Sequence, residues 1–319
     1  MNGDLSTDRA LAARGSPGLA RTMARRGTRM LLASDPDFPI SDDLPQRPGR
    51  LFMEGDRPEV LRAPRVAIVG TRAATPHGLA DARALGAFLA GAGVSVVSGL
   101  AIGIDGAAHH GALAAAGVRG DDPAGPIGVV ATGLDIVYPR RHATLFERVR
   151  RHGVLLGEHS FGVPPGRARF PVRNRIIAAL GDVVVVVEAT SKGGSRITAD
   201  RALDYGRPVF AMPGSRRNPA AAGCNALIAD GAQPLLDPSD ILLALGMTQG
   251  VRRGWSNPTP KRSMTSAAVL VHRALAGEPA HPDELAVRTG LPPGELAVAV
   301  EDLVDAGFAE RSRGFVWPT

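Results

Sequence analysis

A chain of 319 residues, 44% of them hydrophobic, can bury one large core and a second small one, while only 4% aromatic content excludes a broad base-stacking surface. No apolar run approaches the ~20 residues that span a bilayer, and the N-terminal stretch MNGDLSTDRALAARG lacks the apolar centre of a secretory signal, so no membrane association is expected. The formal net charge of +6 says little by itself, because the Ala, Gly and Arg bias runs throughout the chain; the position of the charge says more.

Residues 1–62 read as an N-terminal extension, Arg-rich and weakly helical at first, disordered in its earliest part, then irregular through four prolines between Asp35 and Asp56. Phe38, Leu44, Leu51 and Phe52 are its expected contacts with the main domain.

Residues 63–246 alternate strand and helix. Arg65–Val69, Val94–Ser98, Ile127–Ala131, Val154–Leu156, Asp182–Val187 and Pro208–Ala211 predict strands, the last closing the set. Pro76–Ala90, Ile104–Ala116, Ala143–Arg151, Arg173–Leu180 and Ser195–Asp204 predict helices. That rhythm means an α/β fold: a doubly wound, Rossmann-like parallel sheet with ligands bound outside the carboxyl ends of its strands.

The loops at those strand ends carry the chemistry. Gly70-Thr71-Arg72 ends the first strand; glycine lets backbone N–H groups approach an anion and Arg72 can pair with it. Gly99 opens the next turn, and Asp105 sits at a helix start, as a cap, a brace for a neighbouring loop, or a general base. His109 and His110 follow, more consistent with packing than with a metal, since no set with zinc spacing exists. Between Tyr138 and Arg175 nine arginines face two acids, Glu147 and Glu158, a belt that fits a polyanion or a solvated surface. The segment FPVRNR puts Phe170, Arg173, Asn174 and Arg175 at a helix start beside the buried strand DVVVVVE, an anion well. Lys192, Gly194, Ser195 and Arg196 in KGGSRIT form either an oxyanion cradle or a plain capped helix start. Neither G-x-G-x-x-G nor a P-loop occurs, so no cofactor is expected. Cys224, the only cysteine, excludes an intrachain disulfide and implies a reducing compartment, the cytoplasm; it reads as a small buried residue or, less readily, a reactive thiol.

Residues 247–263 form a polar linker containing Pro and Gly, and 264–319 a small domain of three helices and a ribbon, the winged-helix pattern. Eight acids against four arginines there argue for a protein-contact or regulatory module and against duplex reading.

Taken together, VAIVGTR (66–72), SGLAIGIDGAAH (98–109), GLDIVYP (133–139), FPVRNRIIAAL (170–180), VVVVEATSKGGSRITA (184–199), MPGS (212–215) and GCNALIADGA (223–232) resemble the DNA-processing protein A family, DprA or Smf, over residues ~35–245. The resemblance implies an extended Rossmann-like core that binds single-stranded DNA without sequence preference, protects incoming strands in natural transformation, loads RecA recombinase, acts as a homodimer and has no catalytic residues. It implies Arg72, Arg173, Asn174, Arg175 and the Gly194-Ser195 turn as the phosphate and base pocket. Thr71 stands where the family more often has Ser, and KGGSRIT replaces the commoner SGS-x-IT. The fold also resembles lysine-decarboxylase-like phosphoribohydrolases, which leaves nucleotide hydrolysis as the alternative, with Glu188 its only candidate acid.

Overall fold

The computed structural model describes residues 17–115, 124–247, 265–275, 279–305, 308–312 and 314–318. The expected disorder of the first residues falls on 1–16, and the expected linker, apart from Met247, falls on 248–263; both lie outside the described residues.

The core is a nine-stranded sheet. In chain order its strands are β1 (Arg29–Leu32), β2 (Arg50–Glu54), β3 (Arg65–Val69), β4 (Ser95–Ser98), β5 (Pro126–Val130), β6 (Val154–Gly157), β7 (Val183–Val186), β8 (Val209–Ala211) and β9 (Gln233–Pro234). Their spatial order is β1-β2-β6-β5-β4-β3-β7-β8-β9. From β6 to β9 every neighbour is parallel, whereas β2 joins β6, and β1 joins β2, antiparallel.

Two expectations are corrected here. The extension is not irregular throughout: Leu51, Phe52 and Met53 are buried as β2 pairs with Leu155–Gly157. Pairing to a strand about a hundred residues away supplies the backbone partners that the proline-rich sequence conceals. Phe38 is buried and Leu44 packs against the same cluster, as anticipated. The strand set also does not end at β8, because Gln233–Pro234 adds a short edge.

Alternation divides the core into two layers. Ala67, Val69, Val184 and Val186 face one side of the sheet, packed on α5 (Arg169–Leu180), α6 (Gly194–Asp204) and α7 (Ala222–Ala229). Val66, Ile68, Val183 and Val185 face the other, packed on α2 (Pro76–Gly91) and α3 (Ile104–Ala115). On that second side α4 (Ala143–His152) buries Leu145, Phe146 and Val149 against Val130 and Leu155. The sheet is thus doubly wound. Upstream, α1 (Pro17–Arg26) is fastened by Arg26, whose guanidinium forms a two-pronged pair with the buried Glu54 carboxylate at 2.8 and 3.0 Å.

After a short helix α8 (Ser239–Ala244), the C-terminal segment has helices α9 (Ser266–Leu275), α10 (Pro282–Thr289) and α11 (Pro293–Asp305), then an antiparallel ribbon of β10 (Ala309–Ser312) and β11 (Phe315–Pro318). Val271, Leu275, Leu285, Leu296, Val300, Leu303 and Val316 give it a core of its own.

Candidate nucleic-acid interface

The chain leaves β3 to one side, toward β4, and returns later on the other side as β7. Crossovers diverge at this point, and the diverging loops leave a cleft at the carboxyl ends of the strands. Val69, Gly70, Thr71 and Arg72 line it from β3, with Ala101 and Asp105 at the start of α3. Phe170, Pro171, Arg173, Asn174 and Ile177 line it from α5, and Gly193, Gly194, Ser195 and Thr198 from α6. Four of the sequence segments, spread along the chain from Val69 to Thr198, therefore meet in one place.

Local chemistry explains each wall. Gly70 has no room for a side chain: a Cβ there would lie 2.4 Å from Ile104 Cγ1 and 2.8 Å from the Glu188 carbonyl oxygen. Thr71 locks the turn from both ends, its N–H donating to the Glu188 carbonyl at 2.7 Å and its carbonyl accepting from Ile104 N–H at 3.3 Å. Helix α5 begins at Arg169, four residues before the expected Arg173, because Pro171 falls in the first turn, where no amide hydrogen is needed. Helix α6 starts at Gly194 after an extended Gly193 that gives no side-chain cap, and Gly193, Gly194 and Ser195 line the cleft.

Electrostatically the cleft has a rim and a floor. Arg72 is exposed on the rim, its guanidinium carbon 4.7 Å from the centroid of the Phe170 ring. Tyr138 stands behind, its ring 5.6 Å from Phe170. Arg173 is the floor. It is 5% exposed, Nη1 donates to the Val129 carbonyl, and burial lowers its pKa to about 10, opposed by Asp105, so it stays cationic at neutral pH. Asp105 accepts from Gly99 N–H at 3.1 Å; burial raises its pKa, opposed by the Arg173 charge and the amides of Gly99 and Ala101. Of the roles open to Asp105, this geometry is that of a brace. Two polar atoms of the cleft, Ser195 Oγ and Arg173 Nε, are buried and meet no hydrogen-bond partner among the described residues. A cationic floor and unpaired donors beside a bare helix start together form a receptor for an anion.

Other sequence-predicted residues stand outside the cleft or are already engaged within the fold. Gly99 does not line the cleft; it lies under the floor, where a Cβ would fall 2.1 Å from Arg173 Nη1. Asn174 holds α5 to α6, donating from Nδ2 to the Gly194 carbonyl at 3.2 Å. Arg175 was grouped with the pocket, but it points away and is occupied: Nη2 donates to Glu158 Oε1 at 2.7 Å and Nη1 to the Gln46 carbonyl at 2.6 Å. Two positions along a helix rotate a side chain by about 200°, so Arg173 and Arg175 cannot share a face. Arg196 likewise pairs with Asp230 at 3.3 Å, and exposed Lys192 lies outside the lining. The wider arginine belt is partly neutralised, Arg150 by Glu147 and Asp56 and Arg151 by Glu147, while Arg140, Arg141 and Arg167 stand exposed. Tyr138 was not singled out from sequence as a site residue, although it sits inside the GLDIVYP segment.

Glu188, the acid a hydrolytic alternative would need, accepts from Thr75 N–H at 2.8 Å and from Thr75 Oγ1 at 2.6 Å, anchoring the start of α2. Among the described residues no group of three or more His, Cys, Asp or Glu could hold a metal, and no helix is long and apolar enough to cross a membrane. Cys224 is buried and its thiol is pushed up to about 12 by burial, the environment of a packing residue.

The chain is similar to known proteins over most of its length. The putative DNA processing protein DprA of Mycobacterium tuberculosis is 38% identical over 303 residues, covering 90% of this chain and 76% of that protein. Protein Smf of Escherichia coli is 38% identical over 272 residues, covering 82% and 69%. Among solved structures, DNA processing protein A of Streptococcus pneumoniae superposes with a TM-score of 0.61 at 34% identity, covering 70% of this chain and 77% of that one. DNA processing protein A of Helicobacter pylori, whose structure concerns its single-stranded DNA binding mode, gives 0.59 at 30% identity, covering 68% and 95%. Residues 29–246, from β1 through the end of the α/β domain, match the family described as DNA recombination-mediator protein A, and this chain belongs to that family.

Proposed function

We propose that this protein binds single-stranded DNA without regard to sequence, protects it, and helps load RecA recombinase onto it during natural transformation and recombination, acting as a cytoplasmic homodimer. The observation that carries the reading is the cleft itself, with Arg72 stacked on Phe170 at the rim and the buried Arg173 cation beside the bare start of α6 beneath it. Such a site suits a flexible strand: phosphates meet the cations, and a base that is not paired can reach the Phe170–Tyr138 rings. A duplex keeps its bases stacked inside, so only its phosphates could enter. The relationship to a Helicobacter pylori protein with a single-stranded DNA binding mode supports the same choice.

We read the chain as a binding protein without catalytic residues, since Glu188 is committed to Thr75. We also read the C-terminal module as winged-helix in type and, from its acidic sequence, unsuited to duplex DNA. The test is a titration of labelled oligo-dT and of a duplex of equal length at two salt concentrations, repeated with RecA added. Strong single-strand preference with steep salt dependence is expected. Equal affinity for duplex, or base release from nucleoside monophosphates by the purified protein, would overturn the reading.

A further inference from the structure

On the far side of the sheet from α5 and α6, the C-terminal module meets the α/β domain. Arg83, in the middle of α2, is 5% exposed, and its guanidinium carbon lies 4.3 Å from the centroid of the Phe308 ring. Phe308 directly precedes β10 and packs against the module's own core. The ring of His272, from α9, meets Phe308 edge-on at 5.5 Å and 84°. Burial lowers the Arg83 pKa to about 9, with the neighbouring Arg148 charge acting in the same direction. Over this buried arginine lies an aromatic ring from another module.

The charges of the two partners are complementary. The surface of α2, α3 and α4 brings Arg83 and Arg148 near His110. The segment 264–319 has eight acids against four arginines. We propose that the C-terminal module is a docked cap, latched to the α2–α4 face by the Phe308–Arg83 stack, and that it masks a cationic patch built on Arg83 and Arg148. The module is then held as part of the α/β domain and does not hang free on its connecting segment. A desolvated cation–π contact of this kind shifts the docking equilibrium by about 30-fold.

The chain with both its modules provides the test, through peptide-mapped modification of arginines by phenylglyoxal. In the parent protein Arg83 should react far more slowly than exposed Arg140 and Arg141. Phe308→Ala should accelerate modification of Arg83, by up to about 30-fold, while Phe308→Trp, which keeps an aromatic face, should retain protection. Because Phe308→Ala could unfold the module, a second variant changes the other partner. Arg83→Met leaves the module's core intact and should raise carbethoxylation of His272 several-fold. Rapid modification of Arg83 in the parent chain, or unchanged His272 reactivity in Arg83→Met, would overturn the proposal.

Discussion

Replacing Arg72 by Ala separates a polynucleotide cleft from a merely basic surface. Arg72 is exposed, outside any ion pair among the described residues, and held over Phe170 at 4.7 Å. Its removal should cost little stability, and its effect should appear in binding. One charge-assisted contact to a phosphate contributes about 1.5–3 kcal/mol, so Arg72→Ala should weaken oligo-dT binding about 10- to 150-fold. Neutralising one phosphate fewer should also flatten the plot of log K against log salt by about 0.7. Arg175→Ala is the control, because that guanidinium already serves Glu158 and Gln46. Its affinity and slope should stay within about two-fold of the parent value, the margin left by screened surface charge. The assay is fluorescence anisotropy with labelled oligo-dT between about 50 and 200 mM salt. Equal losses in both variants, or an unchanged slope in Arg72→Ala, would refute the division of labour between the two arginines.

Three further outcomes follow from the floor and core. Arg173→Ala takes from the buried Asp105 the nearby charge that favours its ionised form and leaves the Val129 carbonyl without its donor, so urea unfolding should register a loss of about 1–3 kcal/mol; Arg173→Ala with full stability would mean that the buried guanidinium does not hold the floor. Gly99→Ala drives a methyl to within 2.1 Å of Arg173 Nη1, so the guanidinium must shift, costing about 1–3 kcal/mol and weakening DNA binding without removing any charge. Unaltered affinity in that variant would show that the position of Arg173 is immaterial. His109, wholly buried, has its pKa lowered to about 3 by burial and is neutral in the fold. The unfolded chain takes up that proton first, so stability is complete above the ordinary histidine pKa of about 6.5 and falls as pH drops, by about 1.4 kcal/mol per unit down to about 3. Urea midpoints measured from pH 7 to 5 should fall, and should fall less in His109→Gln.

The parallel strands were legible because their runs are continuous and apolar: Arg65–Val69 and Asp182–Val187 admit no other reading in a chain of this rhythm. β1 and β2 were not, since RMLL and RLFME are short and their pairing with each other and with β6 is set by distant segments. The two residues of β9 carry no periodicity at all. In the site, the convergence of Arg72, Arg173 and the Gly194-Ser195 turn could be reasoned from the rule that loops at carboxyl strand ends share one edge. Arg175 was grouped with Arg173 because both stand at the start of the same expected helix. Once Pro171 is allowed inside the first helical turn, the periodicity of α5 separates the two arginines. What sequence could not supply was burial. Nothing in the letters distinguishes Arg173, 5% exposed, from Arg72, which stands in solvent.

The fixed floor has a kinetic consequence. Arg173 is immobilised by the Val129 carbonyl and Asn174 by the Gly194 carbonyl, so little conformational freedom remains to be lost there when a strand settles. The solvent-facing cations of the rim act earlier, by drawing the polymer in. Alterations at the rim should therefore slow capture, and alterations in the floor should shorten residence. A protein organised in this way can seize a strand quickly and still set, by a separate group of residues, how long it keeps it.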